Sequence, residues 1–377
     1  MPRSKPSKIP LWLSGAALAG LAGLALVLER KPRRISAQGL RRHSFGKSTA
    51  DAVPRQVHEK RALQRGRGRS ARSPLEIPWR GWKDVFWRTC EEFGNDRLLA
   101  VAAGVVFYGL LAIFPAVTAL VSSYGLFADA ATVGRHLAFA AALMPEGAFG
   151  IVEEQVNRIA SQGGGGLSLA FVFGLALAIW STNAGMKAMI DALNVVYDEE
   201  EKRGFVRLNL VSLGLTVGAL SVFLIAIAAV IVFPLLLNWI GLGSAAEQAM
   251  AFLRWPALVV LVMAGLAILY RFGPSRREAR WQWLSVGAIV ATLLWLAGSA
   301  AFSWYLSHFA DYNATYGSLG AGIGLMMWLW LTAIAILLGA ELNSEIEHQT
   351  GRDSTIGGDK PLGRRQAAMA DTVGKAH

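Results

Sequence analysis

The chain has 377 residues, 54% apolar and 17% charged, with a formal net charge of +11 and one cysteine, Cys90. Soluble domains carry nearer about 25% charge, and here the apolar residues gather into runs of about 20 or more, which points to membrane segments and away from a soluble globular protein. The lone cysteine rules out an intrachain disulfide, and the histidines show no local metal-ligand spacing.

The first apolar run, Ile9 to Leu28, is IPLWLSGAALAGLAGLALVL. At about 1.5 Å per residue it just crosses a hydrocarbon core of about 30 Å. The basic ERKPRR that follows would resist export and no clear A-x-A site precedes it, so an anchor is expected, with a cleaved leader as the rival reading. Residues 29–78, rich in Arg, Ser, Gly and Pro, predict a disordered basic cytoplasmic linker. From Pro78 to Phe93, Trp79, Trp82, Phe86, Cys90 and Phe93 recur at three- and four-residue steps. That spacing predicts an amphipathic helix at the water–lipid boundary.

Six longer apolar segments follow: Leu98–Phe127, Leu167–Met186, Leu208–Ile240, Ala251–Tyr270, Trp281–Leu306 and Leu319–Leu338. The fold class expected is all-α: a polytopic membrane helix bundle of six core transmembrane helices, with the N-terminal anchor and amphipathic interfacial helices added. Residues 79–350 form the membrane domain in this reading, and 351–377 a disordered cytoplasmic tail. Pro115 and Pro234 predict helix bends, which neighbouring helices must cover. Gly214/Gly218 and Gly320/Gly324 have the four-residue spacing that allows close helix contact. A long loop, about residues 128–166, is expected to lay amphipathic helices on the outer face.

Charge sets the orientation. Thirty lysines and arginines fall in residues 29–97, the loops after the second and fourth segments, and the C-terminal tail; the alternate loops hold Arg135, Arg158 and Arg254. By the positive-inside rule the former face the cytoplasm.

Candidate functional residues cluster at the inner boundary. Asn183, Lys187, Asp191 and Asn194 fall at about 0°, 40°, 80° and 20° on a helix continuing the second segment, a single polar stripe. Its bland reading is a snorkelling lysine on a solvated face; its sharper reading is the polar wall of a translocation path. Glu341 ends the sixth segment at the same level, and Arg97 and Arg207 open the first and third. A buried-edge charge asks for a partner, so Lys187 or Arg97 is expected to pair with Glu341. Tyr108 lies deep in the first segment and is expected either to make a helix–helix contact or to line the path. On the outer side, Tyr312 and Tyr316 fit an interfacial aromatic belt, and Gly317 and Gly320 a tight turn; an outer gate is the alternative.

Four blocks, DRLLAVAAGVVFYGLLAIFPAVTALVSSYGLF, IWSTNAGMKAMIDALNVVYDEEEKRGFVRLNL, LYRFGPS and YNATYGSLGAGIGLMMWLWLTAIAILLGAELNSEIEHQT, resemble the YihY/BrkB family of bacterial inner-membrane proteins over about residues 79–350. The resemblance implies a six-helix multi-pass protein with both core ends cytoplasmic. It implies no settled activity: the family long bore a ribonuclease BN label, members have been linked to virulence, and transport or lipid export has been proposed. Three functions follow. A transporter or export factor for a lipid or other amphiphile is preferred; a non-transporting membrane scaffold is the alternative; a membrane-associated ribonuclease ranks last, because clustered metal-holding carboxylates or histidines are missing from the sequence pattern. No enzymatic activity, cofactor or metal is expected. The partners expected are membrane lipids, with anionic head groups near the basic arm. A second copy of the chain stays open, and nucleic acid is not expected.

Overall fold

The computed structural model describes residues 53–111, 180–181, 183–227, 229, 244–309 and 319–377. The anchor at 9–28, Pro115, the loop at 128–166, Pro234, Tyr312, Tyr316 and Gly317 lie outside the described residues.

In chain order the helices are α1 (Arg55–Ala62), α2 (Trp79–Asn95), α3 (Leu98–Leu111), α4 (183–196), α5 (Phe205–Ile227), α6 (Ser244–Phe272), α7 (Ser285–Phe309), α8 (Leu319–Glu347) and α9 (Ala368–Asp371). Single 3₁₀ turns at Pro74–Glu76 and Trp281–Trp283 precede α2 and α7. Among the described residues the architecture is all-helical; the sole β feature is an isolated bridge between Ala279 and Thr355. Four stretches are long and apolar enough to cross a membrane: Phe205–Ala226, Phe252–Phe272, Trp281–His308 and Gly322–Glu347. A fifth is reached if α2 and α3, bent by 60°, count as one broken span. Much of the first two expected segments lies outside the described residues, and the described residues carry four or five candidate spans.

The break between α2 and α3 has a local cause. The Asp96 amide closes α2 onto Glu92 O at 2.8 Å, and Arg97 takes a left-handed φ of 52°. The Arg97 carbonyl then accepts from Ala100 and Val101 and starts α3.

α7 and α8 pack with their backbones nearly touching. A Cβ on Gly287 would meet Gly339 O at 2.0 Å, and one on Gly339 would meet Gly287 O at 2.5 Å. Only a residue without a side chain fits such a crossing. Gly214, Gly218 and Gly324, whose spacing would allow close contact, meet no neighbouring atom within 4 Å of a Cβ placed on them. Four-residue glycine spacing permits close contact but does not select it.

Residues 53–78 and 351–377, stretches of the expected linker and tail, pack against one another. α1 and the following turn lie against the tail: Val373 N donates to His58 Nδ1 at 3.0 Å, and Arg69 Nη2 donates to Gly374 O at 2.7 Å. Within the tail, Arg365 is buried and donates to the carbonyls of Gly351, Arg352, Lys360 and Ala370. Ala370 and Val373 are fully buried. Composition signalled disorder because neither segment can bury a core alone. Each is held here by contacts distant in sequence, with arginine donors meeting otherwise unmet carbonyls.

Candidate functional site

The site is the charged end of the bundle, where α4, α5, α6 and α8 finish or begin. α4 stops in a left-handed cap: Asp198 has φ 54°, its amide donates to Val195 O, and the Glu199 amide donates to Asn194 O. This pair of bonds satisfies the last carbonyls of the helix. The cap turns Glu199 back into the protein, where it accepts from Lys202 Nζ at 2.6 Å and from the Ala368 amide at 2.7 Å. The end of α4 is thus bonded to α9.

Asn194 acts as a latch. Its Oδ1 accepts from the Ser275 amide at 2.7 Å, and its Nδ2 donates to Glu201 Oε2 at 3.2 Å. Glu201 is held in turn by the Arg203 fork at 2.8 and 2.7 Å. Burial alone would raise the Glu201 carboxyl, but the Arg203 bonds and the Asn194 amide hold it down at about 2. Arg203 also donates to Gly273 O at 2.7 Å, so the loop after α4 is fastened to the loop after α6.

Beneath this latch lies a fully buried ion pair. Arg276 donates to both carboxylate oxygens of Glu347, at 2.9 and 2.7 Å, and its guanidinium sits 4.0 Å from the centroid of the Tyr197 ring. Ser354 Oγ donates to Glu347 Oε2 at 2.8 Å. Burial works against the Arg276 charge, yet Glu347 overcomes it and raises the affinity of the guanidinium for its proton. On the other flank of α8, Arg88 of α2 donates through Nε to Glu345 Oε2 and through Nη2 to Glu345 O. Asn343, one turn before Glu347 on α8, caps α7 from outside: its Oδ1 accepts from the Gly287 amide at 2.7 Å and its Nδ2 donates to Leu284 O. That first-turn amide has no partner within its own helix.

The predicted stripe on α4 is dispersed among different partners. Lys187 Nζ donates to Asn209 Oδ1 of α5 at 2.7 Å and lies 5.9 Å from the Trp180 ring centroid. Asp191 is exposed, and the charges acting on it are Glu201, Arg203 and Lys187. Asn183 is buried and its Oδ1 has no hydrogen-bond partner. Glu341 is also fully buried; Ser344 Oγ lies 3.4 Å from its Oε1, and its Oε2 has no partner.

The expected ion pair between Lys187 or Arg97 and Glu341 does not form. Lys187 is taken by α5, and Arg97 is exposed at the helix break. Acids, not a cation, surround that region. Asp96 lies in the break itself, and burial together with Glu92, Asp198 and Glu345 pushes its carboxyl up to about 7. Arg207 is exposed and pairs with no described carboxylate. Tyr108 is 45% exposed and set edge-on to Phe107 at 5.5 Å. Gly320 is buried in the first turn of α8.

The predicted stripe of α2 is divided: Trp79, Phe86 and Cys90 are exposed, while Trp82 and Phe93 are half-buried against core residues, and Gly81, Asp84, Val85 and Arg88 are buried. Sequence reasoning missed Arg88, Asn343 and the Arg276–Glu347 pair. The arginines had been read as loop charges that set orientation. The one available signal was the density of polar residues in AELNSEIE at the end of an otherwise apolar helix. Among the described residues, no group of three or more His, Cys, Asp or Glu side chains could hold a metal ion.

Comparison with known proteins gives a consistent outcome. The profile of a family described as "Virulence factor BrkB" matches residues 89–362. A ribonuclease-like protein of Bacillus subtilis, YfkH, is 33% identical over 204 residues, covering 53% of this chain and 73% of the relative. A UPF0761 membrane protein of Laribacter hongkongensis is 26% identical over 72% of this chain and 62% of its own length. Another, from Photobacterium profundum, is 25% identical over 67% of this chain and 77% of its own. No solved structure matches.

Proposed function

The chain belongs to the BrkB family, and on that premise we propose that it is a transporter or export factor for a lipid or other amphiphile, set in a bacterial inner membrane with its charged end in the cytoplasm. The chain is an integral membrane protein of a family that is not a known enzyme family. The ribonuclease-like wording belongs to the Bacillus relative's own name.

The observation that carries the reading is two of the unmet polar groups near the charged end, one on α4 and one on α8. Asn183 Oδ1 and Glu341 Oε2 are both buried without a hydrogen-bond partner. Such groups cost about 1–3 kcal/mol each, more when charged, and are retained where they serve a polar cargo, a proton or water. Lys187, half-buried, and Asp191, exposed, extend that polar level toward solvent, while Asn194 stays buried in the latch. No nucleotide-binding loop G-x-x-x-x-G-K-[ST] occurs in the sequence, so the reading is of gradient-driven or passive movement, or of work supplied by a partner.

The test is lipid movement between leaflets of proteoliposomes containing the purified full chain. Protein-dependent movement that drops at least severalfold in Asn183→Leu and Glu341→Leu, with both variants folded, is the expected result. Movement no faster than in protein-free vesicles, across neutral and anionic lipids and with a proton gradient imposed, would end the transport reading. A second reading, a membrane scaffold, is favoured by the surface that α1, α2 and the tail build together: Arg67 bonds Asp84 at 2.5 and 2.7 Å, and the His377 amide donates to Asp84 at 2.9 Å. It gains if that surface captures a partner while no lipid moves.

A further inference from the structure

Between the inner ends of α5 and α6 lies a cavity of about 710 Å³, separate from the unmet groups of α4 and α8. Lys202, Arg203, Arg207, Arg271, Arg276 and Arg277 line it, and its lining contains one acid, Glu278. Four of those cations are already answered: Lys202 by Glu199, Arg203 by Glu201, Arg271 by Glu278 and Arg276 by Glu347. Arg207 and Arg277 pair with no described carboxylate, which leaves two positive charges facing one space. Arg277 Nη1 is buried and has no hydrogen-bond partner. A buried guanidinium donor without an acceptor asks for an anion.

The position of the cavity narrows what that anion is. Arg207 sits in the first turn of α5, at the start of the Phe205–Ala226 apolar span, and Arg271 ends the Phe252–Phe272 span. The first amides of α5 point toward this end and favour negative charge there. The walls are also part apolar: Val211, Phe272 and Ile356 contribute, and Arg271 lies 4.4 Å from the Trp281 ring centroid. The space therefore joins a cationic floor to an apolar slope at the level where lipid head groups lie.

We propose that this cavity binds a phosphate group, supplied by an anionic phospholipid head group or by free phosphate, with Arg207 and Arg277 as its principal ligands. Forked guanidinium donors suit phosphate oxygens better than lysine does. The assignment goes beyond the transport reading, because a phosphate would be held here whether or not the chain moves lipid.

The test uses the full chain purified in a neutral detergent. Binding is read by native mass spectrometry and by the thermal midpoint, with phosphatidylglycerol, phosphatidylcholine and inorganic phosphate as separate titrants. The variants are Arg207→Gln, Arg277→Lys and the double Arg207→Gln/Arg277→Gln. The charge-matched control is Arg352→Gln/Arg364→Gln, two exposed cations of the tail outside both the cavity lining and the basic arm. Wild type and the control should bind phosphatidylglycerol about tenfold more tightly than the double variant, the loss expected for removing charge-assisted bonds. Arg207→Gln alone, at an exposed site, should keep its fold and lose severalfold. A response to phosphatidylglycerol but not to inorganic phosphate assigns the site to lipid, and equal responses assign it to the free anion. Equal binding by wild type and every cavity variant, or an equal loss in the control, would overturn the proposal.

Discussion

The shafts of α5 and α6 and the charged end into which they run are built on opposite terms. Along α6 none of the apolar window is buried within the protein, and along α5 only 17% is. At the charged end Glu341, Asn343, Glu345, Glu347 and Gln349 all lie at 0–1% exposure within nine residues of α8 and its exit. Shaft positions facing lipid need only be apolar, so many residues serve equally well. At the charged end Asn343, Glu345 and Glu347 each have a named partner, and a conservative change leaves that partner stranded. Substitutions should accordingly be costly at one end of the molecule and cheap along the shafts.

The largest effect is expected at Arg276. Arg276→Ala leaves Glu347 buried with only Ser354 as donor and strips the cation from the Tyr197 ring. Breaking a buried pair from one side costs about 3–5 kcal/mol. The double change Arg276→Met/Glu347→Leu should recover most of that, because well-packed apolar residues often replace a buried pair at little cost. Unfolding midpoints of the detergent-solubilised protein give the comparison. A double variant as unstable as the single one would mean that the network around Ser354, not the pair, carries the stability.

Next comes the crossing of α7 and α8. Gly339→Val drives methyl groups into Gly287 O, the Ala291 Cβ and the Tyr270 hydroxyl, all within 2.8 Å of a Cβ placed there. Overpacking of that kind costs about 1–3 kcal/mol or more. Gly218→Ala on α5 meets nothing and should be neutral or slightly stabilising. Equal midpoints for the two variants would remove the distinction between a packed end and an open shaft.

Legibility in the sequence follows the same divide. Long apolar runs expose the spans of α5 to α8 because hydropathy needs no partner to be read. The helix of α2 was legible from its three- and four-residue spacing, but not that Trp82 and Phe93 of the stripe would pack inward while Trp79 and Phe86 stay exposed. The helix end at Asp198, the cap supplied by Asn343 and the pairing of Arg276 with Glu347 were not. Each depends on a residue brought close by the fold: Asn343 caps Gly287 from 56 positions away, and Arg276 reaches across 71. Lys187 shows the limit most clearly. Its depth predicted that it needs a partner, and it has one, but helix periodicity could not distinguish Asn209 from Glu341. The contacts between residues 53–78 and the tail were hidden for a related reason, since their composition is that of a chain unable to fold alone.

A smaller, pH-dependent effect is expected at Asp96. Its carboxyl, with an ordinary value of 3.8, stands at about 7 in the folded protein through burial and neighbouring acids. The folded state therefore holds a proton that the unfolded state has lost across that window. Stability falls as pH rises from about 4 to about 7, and the penalty is fully present above it. Asp96→Asn removes the penalty, so the variant should gain on wild type as pH rises, by about 1–2 kcal/mol at pH 8 after allowance for solvent screening. Near pH 4 the two should coincide. A gap independent of pH would show that Asp96 acts through its shape rather than its proton.

The smallest effect should come from Lys187, and it probes the boundary between the two regions. Lys187→Met removes one hydrogen bond to Asn209 and a contact 5.9 Å from the Trp180 ring centroid. Because Lys187 is only partly buried, the stability cost should be about 0.5–1 kcal/mol, near the net worth of a single hydrogen bond. Methionine keeps the length and apolar stem of the side chain, so the packing of α4 is retained. Transport should respond more strongly than stability if Lys187 helps to line a path, because the charge is then used in the moving state and not only at rest. A loss of lipid movement no larger than the loss of folded protein would make Lys187 a tether between α4 and α5 and nothing more.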